Sequence, residues 1–185
     1  GPSSQQTDNE LQPTMQVTKT KGADQENALV LHLEKYSLEL HVSQYRSLDE
    51  SYWYLTGVVL YNEDERIATG QYPCFPVVLE VADRSSGGSE IKKLIIDTDT
   101  KALYFVEQLG EPKKKGGGEL AHSGPSAWMQ WEFHVKIDPS PSSRMRLMVL
   151  HVSLKGDGSR GQDRWEKGRA SECTWNDLFL QSLEM

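Results

Sequence analysis

Residues 127–137 constrain the fold most, because apolar and polar side chains alternate along most of this segment. The apolar positions are Met129, Trp131, Phe133, Val135 and Ile137, and the polar positions are Gln130, Glu132, His134 and Lys136. A period of two is that of a β-strand, in which successive side chains point to opposite faces. The segment therefore predicts a strand with one face on a core and the other toward solvent.

Two apolar sets, in residues 28–34 and 36–43, fall at opposite parities. The odd set is Leu29, Leu31 and Leu33, and the even set is Leu38, Leu40 and Val42. One unbroken strand would turn its core face over midway, so we expect a bulge or turn near Lys35. A helix is the alternative, because Leu29, Leu33 and Tyr36 also satisfy helical spacing.

Residues 52–61 are aromatic, β-branched and apolar at both parities, which predicts a central strand covered on both sides. Further strands are expected at 77–82 and 145–155. Residues 91–96 and 102–109 flank the aspartate-containing segment 97–101. We expect these two segments to form an antiparallel hairpin, with Asp side chains bonding the backbone of the turn.

The C-terminal segment predicts a helix. Thr174 followed by Asp177 is typical of a helix N-cap, and one helical face would hold Trp175, Leu178, Phe179 and Leu183. With about eight strands and no βαβ alternation, the chain is expected to be mostly β. The predicted architecture is an antiparallel sandwich or barrel with one C-terminal α-helix. C2-like and immunoglobulin-like sandwiches serve only as architectural analogies, since no family resemblance is specific.

The predicted domain organisation has a tail and one folded unit. Residues 1–27 contain few large apolar side chains and cannot repay the entropy of ordering, so we expect a disordered tail. Its first residues, Gly1-Pro2-Ser3-Ser4, have the form of a remnant of an engineered protease site. Residues 28–185 are expected to form a single β-sandwich-like domain.

Charge and cysteine content limit the classes of partner and compartment. The net charge of −7 and pI near 5.3 argue against a duplex nucleic-acid partner. The same charge argues against peripheral membrane contact, because anionic bilayers select basic faces. Two widely separated cysteines fit a reducing compartment, so we expect a cytoplasmic or nuclear protein. No apolar run approaches the roughly 20 residues that a transmembrane helix needs.

The sequence contains no recognisable catalytic or metal-binding motif. It lacks the G-x-S-x-G context of a nucleophilic serine, and we expect both Cys74 and Cys173 to be inert thiols. The five histidines, His32, His41, His122, His134 and His151, follow no metal-ligand spacing. Asp97 and Asp99 would need help from Asp83 to bind calcium, so turn formation is the favoured role. We therefore expect no catalytic residues, cofactor or metal.

Three segments are candidates for binding a partner. The first is the loop with Arg160, Arg164, Trp165, Lys167 and Arg169, because Trp and Arg are enriched at interface hot spots. The alternative is that Trp165 packs on the core or begins the last strand. The second is the C-terminal stripe with Trp175 and Phe179, which could instead pack on its own sheet. The third is the Lys-Gly loop at Lys113, Lys114 and Lys115, whose alternative is a solvated loop.

These observations favour a non-catalytic protein-protein interaction module, a scaffold or subunit of a larger intracellular complex. Its partner would be another protein. One alternative is a C2-like, lipid- or calcium-responsive membrane-docking domain. A second alternative is an enzyme whose site is assembled from residues distant in the sequence.

Overall fold

The computed structural model describes residues 14–18, 28–33, 37–46, 49–62, 75–83, 90–136 and 145–184. The first strands are β1 (Thr14–Thr18), β2 (Ala28–Leu33), β3 (Leu38–Arg46), β4 (Ser51–Tyr61), β5 (Val77–Asp83) and β6 (Glu90–Ile96). Then come helix α1 (Ala102–Leu109) and strands β7 (Lys114–Gly116), β8 (Trp128–Lys136), β9 (Met145–Lys155) and β10 (Thr174–Glu184). A short 3-10 turn spans Asp157–Ser159.

The described strands form one large sheet and one small one. The large sheet has eight strands in the order β1-β2-β3-β4-β10-β9-β8-β7, and β5 pairs with β6 in a separate hairpin. All strand pairs are antiparallel. The prediction of a mostly β, antiparallel protein is confirmed. The prediction of a barrel is wrong, because the two edge strands of the described sheet, β1 and β7, do not pair with each other.

The hydrophobic core lies between one half of the large sheet and a layer made of β5, β6 and α1. The sheet contributes buried side chains from β8, β9 and β10, among them Met129, Trp131, Leu150, Val152, Leu154, Trp175 and Leu178. The covering layer contributes Leu94, Ile96, Ala102 and Phe105. The indole N–H groups of Trp131 and Trp175 donate to the carbonyls of Gly110 and Asp97 at 2.9 and 2.7 Å, so both rings are buried without a lost hydrogen bond.

Strand β8 confirms the prediction from alternation. Met129 and Trp131 are buried while His134 is exposed. The strand prediction for β2 and β3 is also confirmed, because the two strands form an antiparallel pair in which Leu31 lies opposite Leu40. Directly opposed residues share a face, so both apolar sets lie on one side of the sheet. The predicted turn at Lys35 lies outside the described residues.

The predicted hairpin of 91–96 with 102–109 is wrong. Residues Ala102–Leu109 form helix α1, and β6 pairs with β5 instead. The helix buries Ala102 and Phe105, which are one turn apart. Gly110, with φ of +81°, ends the helix and donates its N–H to the carbonyl of Val106 at 2.8 Å. Asp97 does stabilise its turn as expected, since its carboxylate accepts the N–H of Thr98 at 2.8 Å.

The predicted C-terminal helix is also wrong, because this segment is strand β10. A bulge at Asn176 interrupts its pairing with β9, between Trp175 and Asp177. The extra residue places Trp175 and Leu178 on the same face although they are three positions apart. That spacing is also the spacing of one helical turn, which explains the error.

Strand β1 lies within the segment predicted as a tail, and pairs with β2 from Thr14 opposite His32 to Thr18 opposite Ala28. The rest of residues 1–27 lies outside the described residues. Strand β4 occupies the predicted central position, between β3 and β10.

Candidate functional site

Strands β3 and β4 extend beyond the neighbours that flank them. The last register pair of β2 with β3 is Ala28 with Ser43, and the last pair of β10 with β4 is Gln181 with Gly57. From Gln44 to Arg46 and from Ser51 to Leu55, the two strands pair only with each other among the described strands. We call this two-stranded extension, residues 44–46 and 49–55, the aromatic arm.

The aromatic arm exposes large apolar side chains on both of its faces. Tyr45 is 40% exposed, Tyr52 51%, Trp53 45% and Leu55 50%. Tyr45 lies opposite Tyr52, and their rings stack with centroids 5.0 Å apart. Trp53 and Leu55 alternate with Tyr52 along β4 and lie on the other face. Soluble proteins commonly expose single apolar residues, whereas these four large side chains are concentrated in one short extension.

The base of the arm is fixed by a bulge at Thr56. The register shifts there, so that His41 pairs with Gly57 while Val42 pairs with Leu55, and the Thr56 hydroxyl donates to the carbonyl of His41 at 3.1 Å. A bulge bends its strand and increases local twist. The arm therefore leaves the sheet at a defined position.

Phe179 of β10 packs across the same base. Its ring covers Gly57, where an added Cβ would lie 2.7 Å from Cε2 of Phe179, and it contacts the ring of His41 with centroids 5.1 Å apart. Glycine is required at position 57 because any side chain would collide with the ring. Phe179, which we predicted to contact a partner, has intramolecular contacts on this side of the sheet.

An isolated two-stranded ribbon is marginally stable in water, and this arm leaves four large apolar side chains partly exposed to solvent.

No family model, curated protein or solved structure matches the chain.

The predicted basic loop is ordered by its own arginines. Arg164 is 7% exposed, and its guanidinium donates to the Glu119 carboxylate at 3.0 Å and to the carbonyl of Gly161 at 3.1 Å. Two cations lie over the ring of Trp165. The Arg164 guanidinium is 5.6 Å from the ring centroid, and Nζ of Lys115 is 5.0 Å from the same centroid. Trp165 is partly buried against the core, as the alternative interpretation expected.

The other basic residues of this loop differ in their contacts. Arg160 donates to the carbonyls of Ser123 and Gly124 at 3.0 and 2.9 Å. Arg169 forms an ion pair with Asp163. Lys167 is exposed, with a positive φ of 50°. Partner binding by this loop stays a prediction, but its three arginines also have a structural role.

The C-terminal stripe is divided between the two faces of the sheet. Trp175 is fully buried in the core, whereas Phe179 lies on the opposite face. The two residues therefore cannot form the single helical face that we predicted as a groove-binding stripe.

The predicted Lys-Gly loop begins as edge strand β7. Lys113 and Lys114 lie 2.6 and 3.7 Å from the carboxylate of Glu132. The hydrogen bond from Lys113 holds the pKa of Glu132 below its ordinary value. Lysines on a short edge strand also discourage pairing with other chains, so β7 is a poor candidate for strand addition.

Three strand histidines lie on the face opposite the core. Glu39 lies 2.8 Å from Nδ1 of His32 and 3.4 Å from Nε2 of His41. His151 is farther along the sheet, where burial lowers its pKa despite the opposing charge of Asp177. In the described part of the chain, no group of three or more His, Cys, Asp or Glu side chains is arranged to hold a metal.

An open cleft of about 430 Å³ lies beside Cys173. Its charged lining residues include Lys101, Lys155, Asp157 and Arg169. Burial raises the pKa of the Cys173 thiol, which disfavours the thiolate that a nucleophile needs. Cys74 lies outside the described residues. Among the helices that the structure describes, none is long and apolar enough to cross a membrane.

Sequence reasoning missed the aromatic arm. The signal was present in residues 52–55, Tyr-Trp-Tyr-Leu, which are apolar at both parities. We took this pattern to mean that both faces are covered by the protein itself. Exposed large side chains instead lie on both faces of the arm.

Proposed function

We propose that this chain is a protein-interaction module that binds another protein through the aromatic arm. The observation that supports this function is the joint exposure of Tyr45, Tyr52, Trp53 and Leu55 on an extension held at a fixed position. Tyr and Trp are the residues that supply most binding energy at protein interfaces. A complex would remove part of their apolar surface from water.

The charge near the arm favours a protein partner over a membrane. Asp49 and Glu50 are exposed at the beginning of β4, and the whole chain has a net charge of −7. An anionic bilayer would repel both features, although aromatic side chains alone would suit its interface. We keep the cytoplasm or nucleus as the predicted location.

Affinity purification with a paired surface variant tests this proposal. The double variant Trp53→Ser/Leu55→Ser removes two exposed apolar side chains of the arm. Leu120→Ser is the matched control, because Leu120 is 58% exposed and lies in a surface segment far from the arm in sequence. We expect the wild type and the control to retain the same partner, identified by mass spectrometry, and the double variant to lose it.

The proposal fails if the double variant retains its partner at the wild-type level. Circular dichroism of all three proteins should be the same, because the changed side chains lie outside the core. If Lys167→Ala, a change at an exposed side chain, loses the partner instead, the basic loop is the binding site.

A further inference from the structure

We infer that the aromatic arm recognises an extended peptide segment of its partner, which adds as an antiparallel strand to the edge of β4 next to Trp53 and Leu55. This inference rests on the proposed function and specifies how the partner is bound. Strand addition combines main-chain hydrogen bonds with side-chain contacts at alternate positions.

The edge of β4 is open along the arm in the part of the chain that the structure describes. Strand β10 pairs with β4 from Asp177 opposite Tyr61 to Gln181 opposite Gly57, and not beyond. From Ser182 to Glu184, β10 continues to pair with β9. Among the described strands, none pairs with β4 on this side between Ser51 and Leu55. An exposed apolar edge of this kind is a template for another strand.

The size of the exposed surface favours a peptide over a second copy of the chain. A fully buried aromatic side chain covers roughly 150–250 Å². At exposures of 40–51%, the rings of Tyr45, Tyr52 and Trp53 together leave roughly 200–340 Å² for a partner. A stable protein-protein interface buries about 800 Å² on each side. The arm alone is therefore too small for a stable dimer, but it suits one added strand.

The ends of the arm define the charge and direction of the peptide. Asp49 lies two residues before β4 and is exposed. All pairs in the sheet are antiparallel, so an added strand would place its C-terminal end beside the Asp49 carboxylate. The peptide should therefore have apolar side chains at alternate positions, no proline, and a Lys or Arg near its C-terminal end.

A random peptide library displayed on phage tests this inference directly. Selection on the full chain should enrich peptides with that pattern. A selected synthetic peptide should bind the Trp53→Ser variant at least ten-fold more weakly than the wild type, and should bind the Leu120→Ser control equally well. N-methylation of its backbone should abolish binding at alternate positions and be tolerated between them, which side-chain contacts alone would not produce.

Three results would overturn strand addition. The first is tight binding of the peptides by the Trp53→Ser variant, and the second is an N-methylation profile without alternation. The third is a dimer in sedimentation experiments that Trp53→Ser dissociates, which would assign the arm to a second copy. If no peptide is selected and yet the double variant Trp53→Ser/Leu55→Ser loses its protein partner, strand addition fails while the proposed function stands. If that double variant also retains the partner, both fail.

Discussion

Asn62 joins four parts of the structure, and its removal should have a large effect on stability. The residue is 1% exposed, and its side-chain amide donates to the carbonyls of Thr98 and Trp175 at 2.7 and 2.8 Å. Its backbone N–H donates to the carbonyl of Asn176, and its own carbonyl accepts Nζ of Lys155, both at 2.8 Å. These contacts connect the end of β4 with β9, β10 and the turn before α1.

The expected cost of Asn62→Ala follows from the two side-chain hydrogen bonds. The substitution leaves the buried bond to the Trp175 carbonyl unmade, which costs about 1–3 kcal/mol, and removes a part-buried bond to the Thr98 carbonyl worth about 0.5–1.5 kcal/mol. Alanine also retains both backbone contacts of residue 62. We therefore expect the free energy of unfolding to fall by roughly 1.5–4.5 kcal/mol. Asn62→Asp should cost at least as much, because it directs a buried carboxylate at two carbonyl oxygens.

Urea unfolding followed by tryptophan fluorescence measures this loss, since Trp131 and Trp175 are buried in the core. Asn176→Ala is the matched control, because the Asn176 side chain donates only to the adjacent Asp177 among the contacts described here, at 3.0 Å. We expect the control to lose less than about 1 kcal/mol. An Asn62→Ala variant no less stable than Asn176→Ala would refute the reasoning.

Three further predictions concern the sheet and the basic loop. Gly57→Ala should lower the free energy of unfolding by roughly 1–3 kcal/mol in urea. Adding Phe179→Leu should recover part of that loss, because leucine vacates the space of the ring. Additive effects of the two substitutions on stability would contradict this contact. Arg164→Ala should lower the free energy of unfolding by about 1–3 kcal/mol, whereas Lys167→Ala should leave it unchanged. Equal urea midpoints for the two variants would argue against a structural role for Arg164. Folding lowers the pKa of His151, so the unfolded chain takes up a proton first and the free energy of unfolding should decrease as the pH falls below about 6.5. The variant His151→Gln should show a smaller decrease over the same pH range. The same decrease in both proteins would refute this prediction.

Strand formation could be predicted wherever one face of a strand meets the core. In β8 the alternation of Met129 and Trp131 with polar residues survives in the structure, because a single layer covers one side of the strand. In β2 and β3, the change of parity between Leu31 and Leu40 predicted a bulge or turn between them, and the two segments form an antiparallel pair. Burial on one face imposes a period that a sequence displays directly.

Periodicity failed where local backbone geometry altered the spacing. The bulge at Asn176 brought Trp175 and Leu178 to one face at helical spacing, so a strand was interpreted as a helix. In α1 the segment is short and apolar, and such runs fit a strand or a helix equally well. The hairpin prediction also assumed that β6 pairs with the segment that follows it, whereas β6 pairs with β5.

The candidate site depended on information that no single segment contains. The arm is exposed because β2 and β10 stop pairing at Ser43 and Gly57, and neither endpoint is visible in the sequence of β4. The loop around Arg164 and Trp165 had the composition of a binding site. Its arginines instead bond Gly161 of the same loop and Glu119 and Ser123 of another loop, which composition alone cannot distinguish from contacts with a partner.

Site-specific photocrosslinking in cells tests the role of the aromatic arm most directly. A benzophenone amino acid is introduced in place of Tyr52 in one variant and in place of Leu120 in the other, both of which are well exposed. We predict that irradiation links the protein partner to position 52 and leaves position 120 without an adduct. A partner that copurifies with both variants but crosslinks only from position 120 would contradict the account.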